Sequence, residues 1–355
     1  MQKKNDSLPH IDCVVIGVNA GATLEACLCS LKESNYPEDK IHIIYVDGGS
    51  NDDSLSIAGS LSNINVFALH PEYPTPGLGR NCGEKRGTAP FIQFLDSDTI
   101  LDADWLRIGV QAMEEDVAAV MGHRLEMYPE YSVFNWIGSL EWNAHGGEAE
   151  SFGGDVLVRR QVFRAIGGYD EELVSGEDPE LSRRIRLAGW RILQLDTRMT
   201  EHDLAMTNIC QYWRRTYRSG YGFAAVIDRF KDDVFWQKEF RRITIRGGGF
   251  LALSIIGAIF IFLVDLKTWQ IIFPAMAFSL AVVLLFFPRI FRVDYFKEDK
   301  GITREQAKIY AWHCSLAVLP DIFGVGRYYL GKFCNRPLRN KRNQLATGSI
   351  KQKEG

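Results

Sequence analysis

An excess of either sign of charge is missing from this chain of 355 residues: 41 Lys and Arg stand against 44 Asp and Glu, a formal net charge of −3. That balance excludes the basic footprint of a nucleic-acid-binding protein, so no nucleic-acid partner is expected. Cysteine is sparse and unpatterned. The seven stand at positions 13, 27, 29, 82, 210, 314 and 334. Cys27-x-Cys29 is the one close pair, and no matching pair or His cluster completes a zinc pattern. An odd, scattered count fits a reducing compartment better than a disulfide framework. No Ser/His/Asp or Cys/His signature supplies a covalent nucleophile. The opening stretch MQKKNDSLPHIDCVV has an apolar run too short for a signal peptide, and it reads as a strand.

Charge is also absent locally. Residues 250–264 (FLALSIIGAIFIFLV) and 269–288 (WQIIFPAMAFSLAVVLLFFP) carry none. The second run is long enough to span a bilayer, and the first allows a thin or tilted crossing. With only Asp265 to Thr268 between them, they predict a tight helical hairpin. Arg241, Arg242 and Arg246 precede it, and Arg289, Arg292 and Lys297 follow. The positive-inside rule then puts both flanks and the large N-terminal part at the cytoplasmic face of the membrane. The alternative is a pair of core helices in a soluble domain. Residues 309–333 are apolar but broken by Pro320-Asp321 and Arg327, and read as interfacial or re-entrant. Residues 204–230 mix Trp, Tyr and Arg, which suits a helix in the headgroup region or one packed on the preceding domain. The basic tail FCNRPLRNKRNQ would meet anionic membrane lipids.

The first 200 residues alternate strands and helices. IDCVVIGVN (11–19) is a continuous apolar run, as a buried parallel strand requires. KIHIIYVD, NVFALH and FIQFLD predict further strands, with helices after Thr23, after DGGSND and around NCGEKRG. Such alternation means an α/β fold with a mainly parallel sheet, in which ligands bind beyond the strands' carboxyl ends. Asn19, Asp47 and Asp96 all fall at such ends.

FIQFLDSDTI (91–100) runs a buried strand into two acids one residue apart. Carboxylates so placed repel. Residues i and i+2 of an extended stretch point the same way, so Asp96 and Asp98 could hold Mg²⁺ or Mn²⁺ against a pyrophosphate, or form a solvated turn. In SGEDPELSRRIRLAGW, Asp178 reads as a helix N-cap with Pro179 at the first helical position, and Gly189 ends the helix. A cap can also be a general base, and Glu177-Asp178 could take a proton from an acceptor hydroxyl. Arg80 reads as a nucleobase or phosphate contact, or as a surface arginine. His202, after the strand RILQLD, reads as a third metal ligand, a phosphate contact or a structural histidine. Asp155 in FGGDVLV reads as an acceptor contact or a turn residue at a strand edge.

Taken together, VVIGVNAGATLEACLCSL, IIYVDGGSNDDS, GLGRNCGEKRGTAPFIQFLDSD, FGGDVLVRRQVFRAIGGYDEEL and GEDPELSRRIRLAG resemble the family 2 glycosyltransferases, inverting enzymes of the GT-A fold, over residues 10–205. The resemblance is to the membrane-anchored, bacterial type. It implies a nucleotide-sugar donor and a divalent cation; the crevice's expected place at the cytoplasmic membrane surface points to a lipid-linked or glycan acceptor. It sets Val18, Asn19, Asp47 and Arg80 on the nucleoside, Asp96 toward the ribose or diphosphate, Asp98 on the metal and Asp178 as the base, with Glu177 beside it. Members that make polymers carry Q-x-x-R-W. Here Gln211 and Arg214 are followed by Arg215 where Trp should stand, so transfer of single sugars is expected. A processive synthase and a non-catalytic nucleotide-sugar-binding protein are the competing readings. The expected organisation is a GT-A domain over 1–205, connecting interfacial helices over 206–248, the hairpin over 249–289, and an amphipathic segment with the basic tail over 290–355.

Overall fold

A computed structural model describes residues 8–142, 145–263 and 269–340. The expected Asp265–Thr268 loop and the tail beyond residue 340 lie outside the described residues. The chain divides into two compact units, one of Met1–Ala205 with Arg339–Gly355 and one of Met206–Leu338.

The first unit is an α/β fold. Its strands are β1 (Ile11–Gly17), β2 (Ile41–Asp47), β3 (Ile64–Ala68), β4 (Phe91–Asp96), β5 (Thr99–Leu101), β6 (Val117–Glu126), β7 (Gly147–Glu148), β8 (Val156–Arg159) and β9 (Arg191–His202). Among the described residues they form one nine-stranded sheet in the order β3-β2-β1-β4-β8-β6-β9-β5, with β7 on β9. The first four are parallel, as their unbroken apolar runs predict. Beyond β4 the sheet is mixed: β8 runs antiparallel between β4 and β6, and β6 and β9 are parallel. Asp155 therefore enters a central strand and does not lie at a sheet edge.

Helices α1 (Leu24–Lys32), α2 (Ser54–Ser60), α3 (Pro76–Glu84), α4 (Trp105–Gln111), α5 (Val133–Glu141), α6 (Arg160–Ala165) and α7 (Glu177–Leu187) accompany the sheet. Leu24, Cys27, Leu28 and Leu31 of α1 are buried with Cys13, Val15 and Tyr45 in one apolar cluster. Val14, Ile44, Ile92 and Phe94 turn into a second cluster with Phe163, Leu181 and Ile185. Such alternation of odd and even positions between two clusters is the period of a strand covered on both faces. The polar residue inside FIQFLD is satisfied, because Gln93 accepts from the Trp105 indole N–H at 2.8 Å and donates to the Phe94 carbonyl. Helix α3 lies close on β1: a Cβ at Gly83 would come within 2.2 Å of Val14. That approach brings Arg80 over the sheet.

At the amino end of β1 the buried Asp12 accepts from Arg160, which also meets Glu84 at 2.5 Å. Breaking such a buried cluster leaves uncompensated charge. Arg160→Met is expected to cost about 3–5 kcal/mol, read as a lower midpoint in urea unfolding of the full chain.

The second unit is helical: α8 (Ile209–Arg229), α9 (Val234–Ile243), a π-helical turn (Thr244–Gly248), α10 (Gly249–Leu263), α11 (Trp269–Ile290), α12 (Val293–Lys300), α13 (Arg304–Leu316) and α14 (Val318–Phe333). Three helices, Val234–Ile261, Trp269–Lys300 and Arg304–Phe333, are long and apolar enough to cross a membrane. The sequence reading expected two. Pro320 does not break the third, because it sits in the first turn of α14, where an amide N–H has no helical partner to lose.

Candidate functional site

Strand register gathers the predicted residues. Gly17 pairs Asp47 and Ile16 pairs Asp96, so the carboxyl ends of β1, β2 and β4 lie side by side. The Asp47 carboxylate is fully buried and accepts from the backbone N–H of Gly49 at 2.9 Å and of Ser50 at 2.8 Å. It shapes the DGGS turn. Asn19, at φ 55°, accepts from the Asn51 N–H at 2.9 Å, and its own N–H donates to the Ser50 hydroxyl. Val18 lies against the same turn, in the space a Cβ on Gly48 would need.

The two acids after β4 part company. The turn at Ser97–Asp98 ends the extended stretch, and each carboxylate finds its own partner. Asp98 meets His202 Nε2 at 3.0 Å and stays half exposed. Asp96 sits between two guanidiniums, with Arg80 at 2.8 Å and Arg124 at 3.6 Å.

Arg80 is the hub. Its side chain is 2% exposed, and it reaches Asp96, Glu177 at 3.2 Å and Asp178 at 3.3 Å, over the Tyr169 ring at 5.2 Å. This guanidinium, expected on the nucleoside, is held here by three carboxylates. Glu177 and Asp178 open α7 behind Gly176, which is the N-cap at φ 87°. Asp178 is thus not the cap; it stands in the first turn, where the helix N-terminus favours an acid.

Asp155, expected as an acceptor contact, is 2% exposed and accepts from Arg124 Nε at 3.0 Å, the Thr200 hydroxyl at 2.9 Å and the Asp96 backbone N–H at 3.1 Å. It fixes Arg124 and the end of β4. A Cβ on Gly154 would meet Asp96 at 2.4 Å and Arg80 at 2.7 Å, so this position must be glycine for the acid and the guanidinium to meet. Trp142 completes the wall, edge-on to His202 at 5.2 Å and under Arg124 at 5.5 Å. Sequence reasoning missed Arg124, Tyr169, Thr200 and Trp142. The one legible signal was an arginine inside the apolar strand VAAVMGHRLE.

Burial sets the charge states. It pushes the Asp178 carboxyl up to about 7; Arg80 pulls against that shift, while Glu177 and Asp96 add to it. Burial alone would favour a neutral Arg80, but its acidic neighbours, Asp178 first, hold it above its ordinary range. Burial likewise raises Asp155 against the pull of Arg124.

Among the described residues no group of three or more His, Cys, Asp or Glu could hold a metal ion. Asp98 and His202 do offer an oxygen and a nitrogen donor at one point, and His202 Nδ1 is buried without a hydrogen-bond partner. This two-residue set suits Mn²⁺ or Mg²⁺ if phosphate oxygens and water complete the shell.

Gln211, expected as the start of a partial polymerase motif, is spent locally. It closes a capping box with Asn208 at the start of α8.

A parallel half-sheet with acids at its carboxyl ends, one of them sharing a guanidinium with Asp178, is the arrangement of the GT-A fold. The family model for glycosyl transferase family 2 matches residues 12–161, and that for glycosyl transferase family group 2 matches residues 91–293. The chain belongs to the family 2 glycosyltransferases. It is 24% identical over 198 residues to the glycosyltransferase AglE of Haloferax volcanii, covering 52% of this chain and 64% of that one. It is 24% identical over 209 residues to the O-antigen chain rhamnosyltransferase RfbN of Salmonella typhimurium, covering 54% and 66%. The chain thus spans just under two thirds of these relatives. In fold it is similar to the mannosyltransferase PcManGT of Pyrobaculum calidifontis, solved with GDP-Man and Mn²⁺, with a TM-score of 0.55, 16% identity and 87% of each chain covered.

The charge balance at Asp178 is measurable directly. A ¹³C-detected titration is expected to place its midpoint near 7, against roughly 3.9 for a free aspartate. Removing the neighbouring cation in Arg80→Gln is expected to move it higher still.

Proposed function

We propose that this chain transfers single sugars from a nucleotide-sugar donor to a hydroxyl of a lipid-linked glycan or lipid at the cytoplasmic face of a membrane, with inversion at the anomeric carbon. The observation that carries the reading is a carboxylate that keeps one face open to solvent, Asp178, held by one guanidinium 3.3 Å away that also holds the strand-end acid Asp96. Membership of the family supports the donor class, and the three long apolar helices support the membrane setting.

In this reading the loop tied by Asn19 and Asp47 receives the nucleoside, with Val18 packed behind it. Asp98 and His202 would hold a divalent cation, which when bound would supply charge neutralisation for the leaving nucleoside diphosphate. Asp178 accepts the proton of the acceptor hydroxyl. The acceptor oxygen bonds to the anomeric carbon from the face opposite the leaving diphosphate, and the carbon–oxygen bond to the diphosphate breaks with its electron pair leaving on phosphate. Glu177 stays beside the base and shares Arg80. Arg80 contacts neither sugar; it is a positioning residue. Single transfer is favoured over polymer synthesis because Arg215 stands in the tryptophan position and Gln211 caps a helix.

The test is release of nucleoside diphosphate from a panel of nucleotide sugars by the full chain in nanodiscs, with a lipid extract as acceptor. Asp178→Asn is expected to lower kcat by about 10²–10⁴-fold, the usual worth of general base catalysis, while leaving donor binding intact. The active form is the carboxylate, so kcat/KM of the wild type should fall as pH drops through about 7. A rate independent of pH between 5 and 9 (about 7 ± 2), with an active Asp178→Asn variant, would overturn the base assignment.

Metal dependence is read separately. Asp98→Ala and His202→Ala are each expected to weaken binding of Mn²⁺ in the presence of nucleoside diphosphate by roughly 10–100-fold. Electron paramagnetic resonance of free Mn²⁺ measures this, and turnover should vanish with EDTA and return with Mn²⁺ or Mg²⁺.

A further inference from the structure

Between β6 and α5 the chain makes a tightly restrained turn whose side chains the transfer step leaves idle. Tyr128-Pro129-Glu130-Tyr131 is closed by the Tyr131 N–H, which donates to the Tyr128 carbonyl at 3.1 Å. Pro129 stands second in it, where a fixed φ suits a turn. Asn135 Nδ2 donates to the same carbonyl at 3.2 Å, and the Tyr128 N–H donates to the buried Glu126 carboxylate at 3.2 Å. On this backbone the two tyrosine rings lie face to face, with 4.6 Å between centroids and 5° between planes. Tyr131 is nevertheless 63% exposed and Tyr128 38%. A ring covered on one side and still that exposed has its outer face open to solvent.

The turn is fixed to the crevice at both ends. On its amino side Glu126 pairs His202 in the register of β6 and β9, and the Met127 N–H donates to the His202 carbonyl at 3.1 Å. Tyr128 stands two residues beyond that pair, at most about 7 Å of chain. On its carboxyl side α5 ends at Glu141, and Trp142 returns to His202 at 5.2 Å. Glu126 also accepts from Asn135 Nδ2 at 2.9 Å and from the Leu204 N–H at 3.0 Å, so one carboxylate locks the turn, α5 and the end of β9 together. Charge selects the ligand. Residues 125–142 hold three Glu and no Lys or Arg. Such a segment repels a diphosphate and an anionic bilayer surface alike. It suits a neutral ligand with one apolar face and hydroxyls around its edge. A pyranose ring is such a ligand: its axial C–H bonds meet the electron-rich face of an aromatic ring.

We propose that Tyr131, backed by Tyr128, is an acceptor subsite, on whose outer face a sugar ring of the acceptor stacks beside the transfer site. The acceptor is then a glycan already begun; a bare lipid alcohol lacks the group this platform holds. This inference rests on the transfer reading of the crevice and adds the chemical class of its acceptor. Tyr131 sets specificity and takes no part in the proton transfer, and Glu126 positions it.

The experiment is saturation-transfer difference NMR of the full chain in nanodiscs, with the methyl pyranosides of glucose, galactose, mannose, rhamnose and N-acetylglucosamine as probes. The wild type is expected to saturate the ring C–H protons of at least one glycoside, on one face more than the other. Tyr131→Ala should weaken that binding by roughly 3–10-fold, the worth of one aromatic contact. Tyr131→Phe keeps the ring and should bind as the wild type does, and all three proteins should bind nucleoside diphosphate equally. Equal saturation by the wild type and Tyr131→Ala, or saturation of no glycoside by the wild type, would overturn the subsite. Fluorotyrosine at position 131 reads the other occupant. Broadening of its fluorine signal by doxyl-labelled lipid, with no shift on adding glycoside, makes the turn a membrane contact and sinks the proposal. Glycoside binding that depends on Tyr131, in a protein that transfers sugar from no donor, keeps the subsite and removes the transfer reading. Sugar transfer with an acceptor KM unmoved in Tyr131→Ala keeps the transfer reading and removes the subsite.

Discussion

One guanidinium organises the crevice. Arg80 comes from α3, Asp96 from the end of β4, and Glu177 and Asp178 from the first turn of α7, and all three acids reach the same side chain. Without it, three carboxylates would face each other in a buried space, and at least one would have to take up a proton. With it, they are held at fixed separations and their charge is partly cancelled. A bidentate, permanently charged, planar group is suited to that task where lysine is not. Everything else described at the site either brings Arg80 into place or depends on where it stands. The glycine-lined approach of α3 to β1 puts it over the sheet, and Gly154 leaves room for it to meet Asp96.

The network has a second centre that balances the first. Arg124 and Thr200 are neighbours on the parallel pair β6 and β9, and both bond to Asp155. Two residues further along β9, on the same side of the strand, His202 meets Asp98. The buried Asp155 also receives the Asp96 backbone N–H. The half-exposed acid and the buried one are thus set by the same two strands. That is why the exposed acid can be free to meet a ligand while the other stays locked in protein contacts.

Much of this was legible in the residues. Apolar runs at 11–17, 41–47 and 91–96 became parallel strands because fully buried strands have no polar face to show. Asp96, Asp98 and His202 drew notice because strand ends in such sheets are where ligands lie, and Asp178 because it opens a helix. Partners were not legible. The sequence of Asp155 resembles a turn at an edge, and only the insertion of β8 between β4 and β6 makes it central. The three acids that hold Arg80 could not be read because two of them are distant in sequence. The helix boundary at α7 was misjudged by two residues because glycine in the left-handed conformation took the cap in place of Asp178. In the helical unit, hydropathy marked two segments as spans and a third, 309–333, as interfacial or re-entrant, because Pro320 reads as a break unless its place within the turn is known.

The spacing of these contacts along the chain bears on how the protein comes into being. Arg80 meets Glu177 across 97 residues, and Arg160 meets Asp12 across 148. Loop closure of that length is slow, because chain entropy is lost before any contact is gained. As the chain leaves the ribosome, β1 to β4 can pair while Arg80 still lacks two of its three acids, and Asp98 still lacks His202. The crevice is consequently among the last features of the first unit to be completed. An interrupted chain ending before α7 would hold most of the sheet and lack Glu177, Asp178 and His202, so the site is acquired only when the last strand of the first unit has emerged.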